Sequence, residues 1–252
     1  MHAISDPQKL VAEIEASPRV PSGSEERFAG YGVMGLPFNS GHILAMRRFP
    51  ASSVGPGYRS VWHRDPGGRW TFFQDLPSVN GCARYFSSAV AEVLTATIDI
   101  EWDGPRQLSV TVKDGNRRLD WSVTLTSSAV TRAMSALGSR LPEAVWRHRL
   151  FLAGMGVVAG PILRAGKVRF QGRAPNGQRF VANPHLVWLV ADSHATLDGV
   201  DLGAIGPAPT PGRMADFSIP QRGVFVIGTA FFKAAQASDV DAGSVVTAPD
   251  RN

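Results

Sequence analysis

The sequence predicts a mainly β protein: an antiparallel calycin-like barrel or strongly curved sheet, with a helical hairpin inserted at about 128–165. Three observations carry this reading. Between Thr97 and Leu125 apolar and polar residues alternate through three segments. The apolar sets are Ile98, Ile100, Trp102, then Leu108, Val110, Val112, then Leu119, Trp121, Val123, Leu125. Asp103-Gly104 and Asp114-Gly115-Asn116 separate the segments, and period-two alternation broken by such turns marks antiparallel hairpins. Second, Asp65-Pro66-Gly67-Gly68 sits between two further aromatic-rich segments as a hairpin turn. Third, residues 128–165 abandon the period of two for helical spacing, with Ser128 as cap and Pro142 as a second start.

Taken in order, Ser5 or Asp6 caps a short helix with Leu10, Val11 and Ile14 on one face, and residues 17–25 form a linker. Strands are expected near 29–35, 42–49, 58–64, 69–75, 86–101, 105–113 and 117–126, with Pro/Gly groups at 50–57 and 76–81 as breaks. The first inserted helix carries Val130, Met134 and Leu137 and stops at Gly138; the second runs over 142–163 until Pro161 disturbs it. Strands resume at 166–173, 178–182, 185–191, 194–200 and 222–231, with a turn at Pro175-Asn176-Gly177 and a Pro/Gly-rich loop over 203–217. The expected organisation is therefore an N-terminal helix and linker (1–25), one β-rich domain (26–233) and a polar, mobile tail (234–252).

Composition narrows the function classes. The chain has 252 residues, 44% hydrophobic and 19% charged, an ordinary globular balance large enough to bury a sizeable core. Its net charge of +5 comes mostly from 22 arginines spread along the chain, with only four lysines. A nucleic-acid footprint gathers basic residues on one face, and this scatter argues against such a partner. Cys82 is the sole cysteine, so no internal disulfide forms, as expected in a reducing compartment. The opening residues lack the apolar core of a secretory signal, and Phe151–Leu163 is shorter than the roughly 20 residues that span a bilayer. A cytoplasmic location is the expectation.

The segment 57–75 holds the densest mix of aromatic and titratable side chains. A three-residue loop pairs Arg64 with Trp70, Trp62 with Phe72 and Ser60 with Gln74 on one face; Arg59–Asp75, Val61–Phe73 and His63–Thr71 occupy the other. This is either a well-stitched hairpin with core aromatics or a ligand wall, with Trp62, Phe72 and Gln74 as contacts and His63 moving a proton. Arg84 and Tyr85 follow the turn at 76–81, and Asn183 and His185 precede a later strand that carries Trp188. Polar groups at strand mouths are where barrels meet ligands, so Arg84 becomes a clamp for developing charge and Tyr85 a hydrogen-bond donor. The six histidines and Cys82 show no metal-ligand spacing; GYGVMG (30–35) matches only part of a dinucleotide-binding loop and opens no strand-to-helix crossover, and no Walker-type lysine or G-x-S-x-G elbow is present. No metal and no cofactor are expected. Gly154, Gly156 and Gly160 thin the second helix at about 1 kcal/mol each. Close packing offsets that cost; an interfacial role beside Trp146 and its arginines is the alternative.

Two segments, LDWSVTLT (119–126) and KVRFQGRAPNGQRF (167–180), resemble lipocalin-like proteins of the carotenoid hydratase and AttH type. The resemblance implies a β-lined pocket for an apolar ligand and no cofactor; the insertion at 128–165 departs from it, and no catalytic residue is carried over. The expected function is binding or transforming an apolar small molecule of isoprenoid, polyketide or acyl type by cofactor-free acid/base chemistry at His63, Tyr85 and Arg84. The alternative is a non-catalytic lipid-binding or membrane-surface protein.

Overall fold

The expected curved antiparallel sheet is present in the computed structural model, which describes residues 6–146 and 148–233. Its strands are β1 (Glu26–Pro37), β2 (Ile43–Ser52), β3 (Tyr58–Arg64), β4 (Trp70–Gln74), β5 (Glu92–Thr95), β6 (Thr97–Gly104) and β7 (Gln107–Asp114). There follow β8 (Arg117–Thr126), β9 (Gln171–Arg173), β10 (Arg179–Leu197), β11 (Val200–Asp201), β12 (Arg213–Met214), β13 (Phe217–Ser218) and β14 (Val224–Lys233). The main sheet runs β5-β4-β3-β2-β1-β14-β10-β8-β7-β6, antiparallel throughout except between β4 and β5. β5 and β6 are its two edges, joined through Ala96, and they do not pair with each other. The sheet curls strongly without closing, so of the two expected architectures the curved sheet holds and the barrel does not.

The turn chemistry set the registers. Gly68 takes φ +92° and Asp65 pairs with Arg69 across a three-residue loop, which places Trp62 opposite Phe72 and Ser60 opposite Gln74. Gly115, at φ +54°, turns β7 into β8. Alternation then sends Ile98, Leu108, Val110, Val112, Leu119, Trp121, Val123 and Leu125 into one buried core on the concave side. α1 (Pro7–Ala16), capped by Asp6, presses Val11, Leu10 and Ile14 onto that core. Glu15 fastens it, accepting from Arg48 at 2.7 and 2.8 Å and from the Tyr31 hydroxyl at 3.0 Å.

The convex face is apolar too. Phe28, Ile43, Ala45, Tyr58, Trp62, Phe72 and Phe232 form a second core there. Two irregular segments cover it. One contains α2 (Ala83–Phe86), which seats Tyr85 on Phe232 with ring centroids 3.7 Å apart. The other is the loop after β11, which contributes Ala208, Met214 and Ile219 and contains the small β12–β13 hairpin. Curvature comes from bulges: register shifts fall between Ala29 and Tyr31, Val33 and Leu36, Pro184 and Leu186, and Val190 and Asp192. At Gly30 the backbones lie so close that a Cβ would sit 2.0 Å from the Arg48 carbonyl oxygen.

Several expected elements differ. The strand expected over 86–101 begins as α2 and a further short helical turn, because Tyr85 and Phe86 are recruited to cover the convex face. The strands expected at 178–182, 185–191 and 194–200 are one, β10, bent twice by bulges, and that expected at 166–173 shrinks to β9. The second inserted helix is divided into α4 (Glu143–Trp146) and α5 (Arg149–Leu163), with His148 extended between them at φ −81°, ψ 117°. Pro161 is accommodated within α5. The expected tail, 234–252, lies outside the described residues.

α3 (Ala129–Gly138) and α5 pack on β10 and β14, with the Ser135 hydroxyl bonded to the Val187 backbone and Leu163 and Ala159 against Val187, Leu189 and Val224. Among the described residues no helix is long and apolar enough to cross a membrane. The glycines of α5 divide by role. A Cβ at Gly160 would lie 2.2 Å from the Gly166 carbonyl oxygen, whereas one at Gly154 meets nothing within 4 Å. Gly154→Ala is therefore expected to stabilise by about 1 kcal/mol and Gly160→Ala to destabilise. Urea unfolding of both variants checks the opposite signs.

Candidate binding site

Between the convex face and its covers a cavity of about 140 Å³ remains unfilled. That volume suits a compact ligand of about benzene's size, and the pocket is partly open to solvent. The floor consists of small residues of adjacent strands, with Gly30 of β1 opposite Gly228 of β14 and Ala182 opposite Ala230. Phe28, Phe49, Trp62, Phe86, Phe180 and Phe217 wall it. Met134 and Leu163 reach it from the helices. Among the described residues the lining includes no Asp or Glu.

Two arginines line it, and one of them, Arg47, is buried among aromatic rings. Alternation along β2 sends Arg47 to the convex side with Ile43 and Ala45, and the side chain is only 4% exposed. Its guanidinium lies 3.5 Å from the centre of the Trp62 ring and 5.5 Å from that of Phe217. Neither terminal nitrogen has a hydrogen-bond partner among the described residues. Burial pushes the Arg47 pKa down to about 10, with Cys82 and Tyr58 nearby pulling it partly back. The group therefore remains a cation at neutral pH. A stacked cation gains about 2 kcal/mol when desolvated, while an unpaired buried charge costs several. The aromatic contacts offset only part of that cost. Arg169 also lines the cavity, but its charge is paired with Asp216.

Beside Arg47 the Tyr58 hydroxyl and the Cys82 thiol are 2.7 Å apart. Burial raises both pKa values, so each keeps its proton. A neutral O–H/S–H pair thus adjoins a fixed cation within an apolar chamber. Among the described residues no group of three or more His, Cys, Asp or Glu is placed to hold a metal.

The residues singled out from sequence are dispersed. Trp62 lines the cavity, and Phe72 stacks behind it at 4.1 Å without reaching the chamber. Gln74 is buried and donates to the Leu76 carbonyl, outside the lining. Asn183 borders the cavity opposite Thr229, yet alternation on β14 groups Thr229 with Phe225 and Ile227 on the concave side. Trp188 belongs to the concave core, and His185 stacks on Trp146 beneath the helices. His63 points to the concave side and meets His42, Nδ1 to Nε2, at 2.9 Å. Arg84 and Tyr85 lie on α2 rather than at a strand mouth; both donate to Glu26, each at 2.7 Å. The trio His63, Arg84 and Tyr85 is therefore not assembled around a common point.

Arg47 was missed because it reads as half of a basic pair, Arg47-Arg48. The available signal was its phase: a charge at the alternate position shared by Ile43 and Ala45, across from the strand carrying Trp62.

The architecture and the site define a curved-sheet protein with a small, largely apolar pocket beside a buried cation. No family model matches the chain, and no curated protein matches it; the resemblance of 119–126 and 167–180 to carotenoid hydratases gains no support from either. Among solved structures it is similar to an acetoacetate decarboxylase from Legionella pneumophila. The two are 12% identical with a TM-score of 0.37, over 88% of this chain and 92% of the other. A likeness that slight carries no activity across.

His63 yields a pH prediction. Burial, followed by the neighbouring His42, lowers its pKa to about 4, whereas an unfolded histidine protonates near 6.5. Over that interval the unfolded chain takes up a proton that the folded one refuses, so stability falls as pH drops from about 6.5 to about 4. The loss from this group approaches about 3 kcal/mol. Chemical denaturation across this range is expected to show a shallower acid loss for His63→Gln than for the wild type.

Proposed function

We propose that the protein binds a compact apolar carboxylate in the cavity beneath the covers, with Arg47 receiving the carboxylate and the aromatic walls receiving the apolar body. The observation carrying this reading is a buried guanidinium whose two terminal nitrogens find no hydrogen-bond partner among the described residues, in a pocket whose described lining includes no acid. A carboxylate supplies the missing acceptor, and a guanidinium takes both its oxygens at once. The volume favours the small end of the acyl and aromatic-polyketide classes over a long isoprenoid.

Benzoate and benzyl alcohol test this directly, being alike in shape and different in charge. Calorimetry is expected to show benzoate binding much more tightly. Arg47→Met should weaken benzoate by about 2 kcal/mol, roughly thirty-fold, and leave the alcohol little changed. The same variant is expected to raise the melting temperature of the empty protein by removing an unpaired buried charge. Equal affinity for the two compounds, or benzoate binding that survives the substitution, would reject the reading.

A further inference from the structure

We infer that the outer surface of α3 and α5 docks on an anionic lipid membrane. α5 has apolar residues on both of its sides. Leu152, Ala159 and Leu163 face the sheet. Leu150, Val157, Val158 and Ile162 face solvent, at spacings that keep them on one stripe, with Leu150 78% and Val157 74% exposed. Leu137 of α3, 55% exposed, extends the patch across the groove. Among the described residues that groove, about 390 Å³, is lined by apolar side chains and glycines of α3, α4, α5, the link at Leu141 and β10 beneath. A solvent-facing stripe of this kind marks an interaction surface.

Charge selects the partner. Between Ser127 and Phe170 the sequence has seven Lys and Arg residues against one acidic residue, Glu143. Arg132, Arg140, Arg164 and Lys167 are exposed around the stripe. An apolar stripe rimmed by cations matches lipid chains below an anionic headgroup layer. A two-fold partner copy would instead set the patch against itself, like charge facing like charge. The groove also meets the cavity: Met134, Pro184 and Val187 line both. A docked protein would present this boundary to the bilayer, a route for an apolar acid out of the membrane. That last step rests on the carboxylate reading; docking itself does not.

Sedimentation with vesicles tests the inference. The wild type is expected to bind vesicles of phosphatidylcholine with about a third phosphatidylglycerol at least ten-fold more tightly than pure phosphatidylcholine, and less tightly as salt rises. Leu150→Asp/Val157→Asp alters two exposed positions and should abolish vesicle binding while keeping benzoate affinity. Arg47→Met should do the reverse, which separates failure of docking from failure of the cavity reading. Equal binding by wild type and the Asp variant, or no binding to either vesicle, overturns the proposal. So does a wild-type dimer in analytical ultracentrifugation that the Asp variant dissolves, since the surface would then belong to a second copy.

Discussion

The sheet is apolar on both faces, and everything else follows from having to bury both. One sheet can shield only the face it wraps. The concave side is solved by curvature: bulges along β1 and β10 and close backbone approaches at glycine coil ten strands around a single core, with α1 across it. The convex side cannot be solved that way and is roofed piecemeal. The stretch carrying α2, the loop after β11 and the α3–α5 insertion each cover a part. Glu26 holds the roof at one point, accepting from Arg84, Tyr85 and Gln178 and so tying β1, α2 and the β9–β10 turn together.

A roof assembled from separate pieces fits less closely than a strand pair. Over the glycines and alanines at the middle of the sheet the covers do not descend to the floor, and the cavity is that remainder. Placing a guanidinium there lowers stability, since among the described residues the desolvated charge has aromatic faces but no anion. Under the carboxylate reading, that cost is offset when the missing acceptor arrives.

Much of this was legible where local chemistry decides structure. The Asp-Pro-Gly-Gly turn fixed the pairing of Trp62 with Phe72, and alternation from Ile98 to Leu125 named the concave core residue by residue. Ser128 and Pro142 marked the helical insertion. Legibility failed where distant residues decide. Tyr85 and Phe86 are helical because a face far along the chain needs covering, and β10 runs uninterrupted because β14 and β8 flank it. His63 looked catalytic beside Trp62, but adjacent residues on a strand look in opposite directions. The cavity drew its walls from strands, loops and helices, so no single stretch announced it, and Arg47 was hidden inside an ordinary basic pair.

The pairing of β1 with β14 has one more consequence. Val33 lies beside Phe225, 192 residues further along the chain. During synthesis the first strand must wait, one edge unpaired, until its final neighbour leaves the ribosome. The closing contact is of very high order, so folding should be slow and cannot be completed before β14 has been made. Until then its apolar strands are exposed to other nascent chains, and chaperone attendance in the cell becomes a condition of yield.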